Sequence, residues 1–336
     1  MDIRKWLALT AALIFFGLWA AVAQAADAVP FAFDWIFNGT QAGFFAASDK
    51  GYYRDAGMNV ALSRGFGSGD TVKRVATGGL MFGLADTSTV VAARANEDVP
   101  VRIVAVLYGK APLGVIYLAE SGIKKPKDLE GRTIARAASG SSVTMFPGFL
   151  KANSIDRSKI KELVADANTL LPLMISRRVD AVLGQTANMG RYIKMAQEEG
   201  LHAEKMNYAD FGLVAYGNAI IANTQVLEKR PDLVRRFVEV SLKGNAYALA
   251  HPDEAIASMK KIQPEVDAPV AREELVEVYN LIMTNEVKKN GIGFASQAGM
   301  AATIQTVHDA LALKRTLAVD EVFDLRFLPK TPVLPK

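Results

Sequence analysis

Residues 34–45, DWIFNGTQAGFF, set one indole, Trp35, beside three side chains that carry an amide or hydroxyl: Asn38, Thr40 and Gln41. A ring supplies rigid contact area and neutral polar groups fix orientation, so this mix suits the capture of a small molecule. Four further polar clusters directly follow apolar runs short enough to be strands. They are Gly67 and Ser68 with Asp70, Asp86 with Thr87 and Ser88, residues 139–142 with Ser141 and Ser142, and residues 185–188 with Gln185. In open α/β sheets ligands sit outside the carboxyl ends of strands, where loops feed helix N-termini. These residues are therefore the candidate ligand contacts, joined by Tyr108 and Tyr216, each of which could close over a ligand or pack between lobes. Asp86 is the one acid among them directly after a strand; it could receive an amine or ring N–H, or cap the following helix. Arg136, after the apolar TIA, could clamp a carboxylate or sulfonate, or stand at the surface as a strand end.

Catalytic constellations are missing from this pattern. The three histidines, His202, His251 and His308, sit among residues that read as helix surface or loop, which supports neither a Ser-His-Asp triad nor a histidine metal site. With no cysteine there is no disulfide, thiolate metal site or thiol nucleophile. GFGSGD, residues 65–70, has Asp70 where a dinucleotide fingerprint needs glycine, and it lacks the Lys-Ser/Thr ending of a phosphate loop. It reads as a turn whose N–H groups face a helix start, or as a plain strand-to-helix turn. No catalytic residue, metal or cofactor is expected, and the chain is not expected to be an enzyme.

The elements that must position these residues follow from length and period. At 336 residues the chain suggests two lobes, each with its own core. Residues 1–25, with Arg4, Lys5, an apolar run and AQA, match a cleavable secretory signal, so the mature protein would begin near Ala26. A formal charge of +4 with scattered basic pairs does not make a nucleic-acid stripe. Short apolar runs then alternate with helix-period segments, the pattern of an α/β protein with largely parallel sheets. Nine strands are expected, VPFAFDW, NVALS, LMFGLAD, VRIVAVLY, LGVIYLA, RTIARA, IKELVA, DAVLGQ and VAYGNAIIAN, with helices opening at residues 87, 141 and 169. From about Pro231 only helical spacing remains, which predicts a C-terminal helical run. Residues 27–112 with 217–336 should form lobe 1 and 113–216 lobe 2, with crossings at 110–113 and 211–218.

Four blocks in this order, DWIFNGTQAGFFAASDKGYYRDAGMNVAL, VATGGLMFGLADTSTVVAARANEDVPVRIVAVL, GIKKPKDLEGRTIAR and RRVDAVLG, resemble the solute-binding proteins of ABC importers in the thiamine-precursor, taurine and nitrate group. The branch most similar is that of thiamine-biosynthesis pyrimidine binders. The resemblance implies a two-lobed type II periplasmic-binding fold, hinged between lobes, that closes on one small molecule and delivers it to an ABC permease with its ATPase. It places Trp35, Asn38, residues 67–70 and Asp86 in the cleft. Where thiamine-precursor binders commonly carry a His before Ala-Gly, this chain has Gln41, so their ligand is not carried over. Pyrimidines, aromatic acids, sulfonates, amines and nitrate all stay open as ligands. The expected protein is a periplasmic monomer that binds no nucleic acid; the alternative is an enzyme acting on a pyrimidine-like thiamine precursor.

Overall fold

The computed structural model describes residues 25–334. Apart from Ala25, the expected signal segment lies outside the described residues. No described helix is long and apolar enough to cross a membrane.

The described strands form two five-stranded sheets. The first holds β1 (Asp27–Ala32), β2 (Met58–Ser63), β3 (Phe82–Asp86), β4 (Val101–Val106) and β10 (Asn218–Asn223), in the order β2-β1-β3-β10-β4. The second holds β5 (Leu113–Leu118), β6 (Thr133–Arg136), β7 (Lys161–Val164), β8 (Ala181–Gln185) and β9 (Ala203–Asn207), in the order β7-β6-β8-β5-β9. Four strands of each sheet point one way, and one runs against both neighbours: β10 in the first, β5 in the second. Each reversed strand is the first after a change of sheet. It enters at the end where its neighbours finish, pairing Leu113 with Gln185 and Asn218 with Asp86. The sheets are therefore more mixed in pairing than a doubly wound sheet, for a topological reason. β9 was not among the expected strands: AEKMN lies at a sheet edge and buries only Met206 among its side chains.

The two crossings run side by side. Ala111 N–H donates to the carbonyl of Ala215 at 2.8 Å, and Gly217 N–H to that of Tyr108 at 2.9 Å. Helices of eight residues or more, numbered in chain order, flank the sheets: α1 (Ala42–Asp49), α2 (Ser68–Ala76), α3 (Thr87–Glu97), α4 (Ser141–Ala152), α5 (Ala167–Ile175), α6 (Met189–Glu198), α7 (Pro231–Ala250), α8 (Pro252–Ile262), α9 (Ala268–Ile282) and α10 (Gln297–Leu311). The expected opening of α5 at Thr169 is corrected: Asp166 caps it, accepting from Asn168 N–H at 2.9 Å, because a carboxylate outcompetes a hydroxyl already donating to the Asp166 carbonyl.

Burial explains how the lobes are held. One apolar cluster covers the outer face of the first sheet around Phe31, Phe82 and Phe237, and another the outer face of the second around Ile116, Met174 and Val182. A third runs through both lobes, from Val91 of α3 through Phe149 of α4 to Ile304 and Val307 of α10. The C-terminal helical run thus serves both sheets: α10 packs on α3 and α4, while α9 lies between the 39–41 turn of lobe 1 and α6 of lobe 2. That last fit leaves no room for a side chain at Gly39, whose added Cβ would meet the Ala271 carbonyl oxygen at 1.7 Å. This is a two-lobed periplasmic-binding-protein-like architecture with a helical C-terminal extension.

Candidate ligand-binding cleft

The carboxyl ends of β1, β3, β6 and β8 face each other across the gap between the sheets, and loops from both lobes line it. The inner cleft is bounded by Asp34, Trp35, Gly67 and Ser68 from lobe 1, and by Ser141, Ser142, Gln185 and Asn188 from lobe 2. Trp35 is half-buried, and its ring packs on the lobe 2 cluster that holds Leu171 and Tyr192, although its backbone belongs to lobe 1. It is a wall shared by both lobes rather than filler of its own core.

The floor is a hydrogen-bonded cluster around Asp34, two residues past the end of β1. Its Oδ2 accepts from Gln185 Nε2 at 3.0 Å, Asn218 Nδ2 at 3.1 Å and Ser68 Oγ at 3.4 Å. Gln185 Nε2 also lies 3.1 Å from Asn218 Oδ1 and 3.3 Å from Ser141 Oγ. An amide nitrogen carries two hydrogens, so these three acceptors offer more than it can fill. Asp34 is 4 % exposed, and burial pushes its carboxyl up to about 6 against the hydrogen bonds from Asn218 and Gln185 that hold it down.

Asp86 stands behind this floor. Its Oδ1 caps α3 by accepting from Ser88 N–H at 2.9 Å, its own N–H donates to Ser68 Oγ at 3.0 Å, and its Oδ2 is buried with no partner among the described residues. Burial pushes its carboxyl up to about 7, and the charge of Asp34 adds to the rise. Of its two expected roles the structure displays the cap; the side chain does not line the cleft.

The lobes touch directly at the next loop. Gly69 N–H of lobe 1 donates to the Ser139 carbonyl of lobe 2 at 3.0 Å, and Ser139 Oγ to the Phe66 carbonyl at 2.8 Å. Gly67 makes this approach possible, since its φ is +118° and an added Cβ would lie 2.4 Å from the Ser139 oxygen. Opposite, Gly140, Ser141 and Ser142 present the N-terminal turn of α4 to the cleft. The cleft therefore offers an acceptor at Asp34, with its partner Asn218 buried behind it, donors at the α4 amides, and the aromatic face of Trp35.

The remaining expected contacts lie elsewhere. Asn38 caps the 39–41 turn, accepting from Thr40 N–H at 3.0 Å, and its side chain faces a separate outer compartment. Gln41 is buried behind it, donating to the Ile36 carbonyl at 3.3 Å. Asp70 sits in the first turn of α2, 3.8 Å from Arg74. Thr87 donates to the Gly217 carbonyl at 2.6 Å and so ties α3 to a crossing. Tyr108 is in the lobe 1 core beside Thr40. Tyr216 faces away from the cleft, donating to Glu286 at 2.6 Å and accepting from Ser296 N–H at 3.2 Å. Arg136 is taken by Glu162. Asp34, Asn218, Arg191 and Tyr192 were not singled out from sequence. Asp34 carried a usable signal, an acid immediately before the aromatic plate.

Comparison with known proteins agrees with this architecture. Residues 38–255 match the family model described as "NMT1/THI5 like". A formylaminopyrimidine-binding protein of Halalkalibacterium halodurans is 25 % identical over 270 residues, 80 % of each chain. The riboflavin-binding protein RibY of Chloroflexus aurantiacus is 26 % identical over 309 residues, 90 % of this chain and 86 % of that one. A solved structure from Bordetella bronchiseptica superposes with a TM-score of 0.72 at 16 % identity, covering 90 % of this chain and 96 % of that one. With the family match spanning well over half of its length, this chain belongs to the NMT1/THI5-like family.

Proposed function

We propose that this protein is an exported solute-binding component of an ABC importer, which closes its two lobes on a small flat molecule carrying N–H groups and passes it to a membrane permease without altering it. The observation that carries this reading is the Gln185 amide, which reaches from lobe 2 to Asp34 and Asn218 of lobe 1. An N–H group already bridges the lobes at the cleft floor, and a solute with amino or ring N–H groups can take over those acceptors while it stacks on Trp35. Two relatives are named for binding nitrogen heteroaromatics, a formylaminopyrimidine and riboflavin, which supports the same class. The paired crossings would be the hinge. Bare anions fit the floor poorly, because it is built on the buried carboxyl of Asp34, with that of Asp86 behind it.

A thermal-shift screen of the mature protein against aminopyrimidines, flavins, amines, aromatic acids, sulfonates and nitrate tests this. N–H heteroaromatics should stabilise it, by about 2.7 kcal/mol at one hundred times the dissociation constant, and be recovered intact. Stabilisation by sulfonate or nitrate alone would refute the solute class, and recovery of a converted product would make the protein an enzyme.

A further inference from the structure

Beside the inner cleft lies a second cavity that the ligand reading leaves unused. Its walls come from both lobes and from the C-terminal run: Asn38 and Arg64 from lobe 1, Arg191 and Lys194 of α6 from lobe 2, and Glu274 of α9. Arg191 lines both compartments, so they meet at its side chain.

The charged groups facing this space are incompletely paired. The Arg64 guanidinium lies over the Phe66 ring, 4.7 Å from its centroid, but its Nε and Nη2 are buried with no hydrogen-bond acceptor among the described residues, which leaves part of its desolvation uncompensated. Arg191 has no ion pair or side-chain hydrogen bond among the described residues. Glu274 is 2 % exposed; its Oε2 accepts from Gly39 N–H at 2.9 Å, while its Oε1 is buried and unpartnered. Burial pushes the Glu274 carboxyl up to about 7, so near neutral pH it is partly protonated and able to donate. At the rim, Lys194 is paired with Asp267 at 2.5 Å, while Glu198 and Glu265 are exposed to solvent, which screens them.

We propose that this outer compartment is a second subsite, which holds an anionic substituent of the bound solute, a carboxylate or a phosphate, between Arg64 of one lobe and Arg191 of the other. The inference rests on the reading of the inner cleft as a solute site, and it makes the solute bipolar, with N–H groups at Asp34 and a negative group outside. Guanidinium groups suit such an anion because they present planar pairs of donors to carboxylate and phosphate oxygens. Their placement on opposite lobes also couples binding to closure. Without an anion the two like charges oppose approach of the lobes; with one between them, each is neutralised across the gap.

The test uses inorganic phosphate and acetate as probes, with sodium chloride at equal ionic strength as the reference. Phosphate, acetate or both should raise the melting temperature of the mature protein saturably beyond the chloride reference, and the more effective anion assigns phosphate or carboxylate. Arg64→Ala and Arg191→Ala should each weaken the apparent affinity at least about tenfold, the loss expected for a charged hydrogen bond, and Arg64→Lys should keep part of it. Trp35→Ala should leave the anion effect in place. The proposal is overturned if neither anion exceeds chloride, if the effect survives unchanged in both arginine variants, or if Trp35→Ala abolishes it and so moves the anion to the inner cleft. An intact anion effect with no stabilisation by any N–H solute would instead count against the solute class alone.

Discussion

The side-chain amide of Gln185, at the last residue of β8, lies 3.0 Å from Oδ2 of Asp34, and the two residues sit on opposite lobes. A hydrogen bond to a buried carboxyl that already receives Asn218 and Ser68 couples lobe position to the protonation and occupancy of one group.

A double-mutant cycle with Asp34→Asn and Gln185→Ala should show this coupling. Hydrogen bonds to charged groups contribute about 1.5–3 kcal/mol, and part of that should appear as an interaction energy of about 1 kcal/mol or more in urea unfolding. Additive single-mutant losses would mean that the contact holds nothing together.

The pH dependence follows from three buried carboxyls. Burial raises Asp34 to about 6 and both Asp86 and Glu274 to about 7, so between pH 4 and pH 7 the folded chain binds more protons than the unfolded one. Their contribution to stability is greatest below the ordinary carboxyl range and falls as pH rises through the raised values. Surface carboxyls held low by partners, such as Asp27 beside Arg236 and Glu130 beside Lys127, act in the opposite sense and below pH 4–5. Stability should therefore decline from about pH 5 to pH 7.5, at up to about 1.4 kcal/mol per pH unit for each buried group. Asp86→Asn should flatten this slope and raise the melting temperature above pH 7, because asparagine caps nearly as well and carries no charge. It should leave solute affinity within about twofold, since Asp86 does not line the cleft. A loss above tenfold would restore it as a contact.

What could be read from the sequence divides along physical lines. Strand-to-helix turns announce themselves through apolar runs followed by small polar residues, so Gly67, Ser68, Ser141, Ser142 and Gln185 were identifiable and all line the cleft. Asp34 escaped because the apolar run VPFAFDW reads as strand through Trp35, whereas β1 ends at Ala32 and leaves Asp34 on the loop that follows. Asn218 escaped because it opens β10, whose reversed direction puts the start of that strand at the cleft. Arg191, on an amphipathic helix, looks like any solvated position until α9 is seen packed against that helix. Tyr216 is the converse case: its place on a crossing is evident in the sequence, but the face of the crossing it takes depends on Glu286 and Ser296, far along the chain.

Gly67 should be intolerant of substitution for two separable reasons. Its φ of +118° is one that residues with a Cβ rarely adopt, and the added atom would meet the lobe 2 backbone at Ser139. Gly67→Ala should lower stability by about 1–3 kcal/mol. It should also enlarge the radius of gyration measured by small-angle scattering, as the lobes are held apart. A destabilised variant with unchanged dimensions would confine the effect to the backbone.

Two ion pairs latch the outer rim, Lys194 with Asp267 at 2.5 Å and Lys205 with Glu277 at 2.9 Å, each joining lobe 2 to the segment around α9. Their exposure limits each to a fraction of a kcal/mol. Reversing both lysines to glutamate should weaken solute binding about three- to tenfold through repulsion in the closed form, with little change in melting temperature without solute. An equal loss at 0.5 M sodium chloride would argue against an electrostatic cause.

The strongest optical test belongs to Trp35. It is the only tryptophan among the described residues, and the other two in the chain, Trp6 and Trp19, fall in the expected signal. Its ring is half-buried, lines the inner cleft and leans on the lobe 2 cluster. A solute that stacks on it must change its surroundings, and so must any change in lobe separation. The intrinsic fluorescence of a chain that begins at Ala26 should therefore shift in wavelength or intensity as solute is added, saturating at one equivalent. Trp35→Phe should keep binding with a modest loss, since a smaller ring still stacks. Trp35→Ala should weaken binding at least about tenfold, because aromatic contacts contribute about 0.5–1.5 kcal/mol beyond the area they bury. Both variants should unfold cooperatively, because the ring lies at the lobe boundary rather than inside the aromatic core around Phe31, Phe44 and Phe237. A saturating solute that leaves the indole emission unchanged, together with full affinity in Trp35→Ala, would place the solute site outside this cleft.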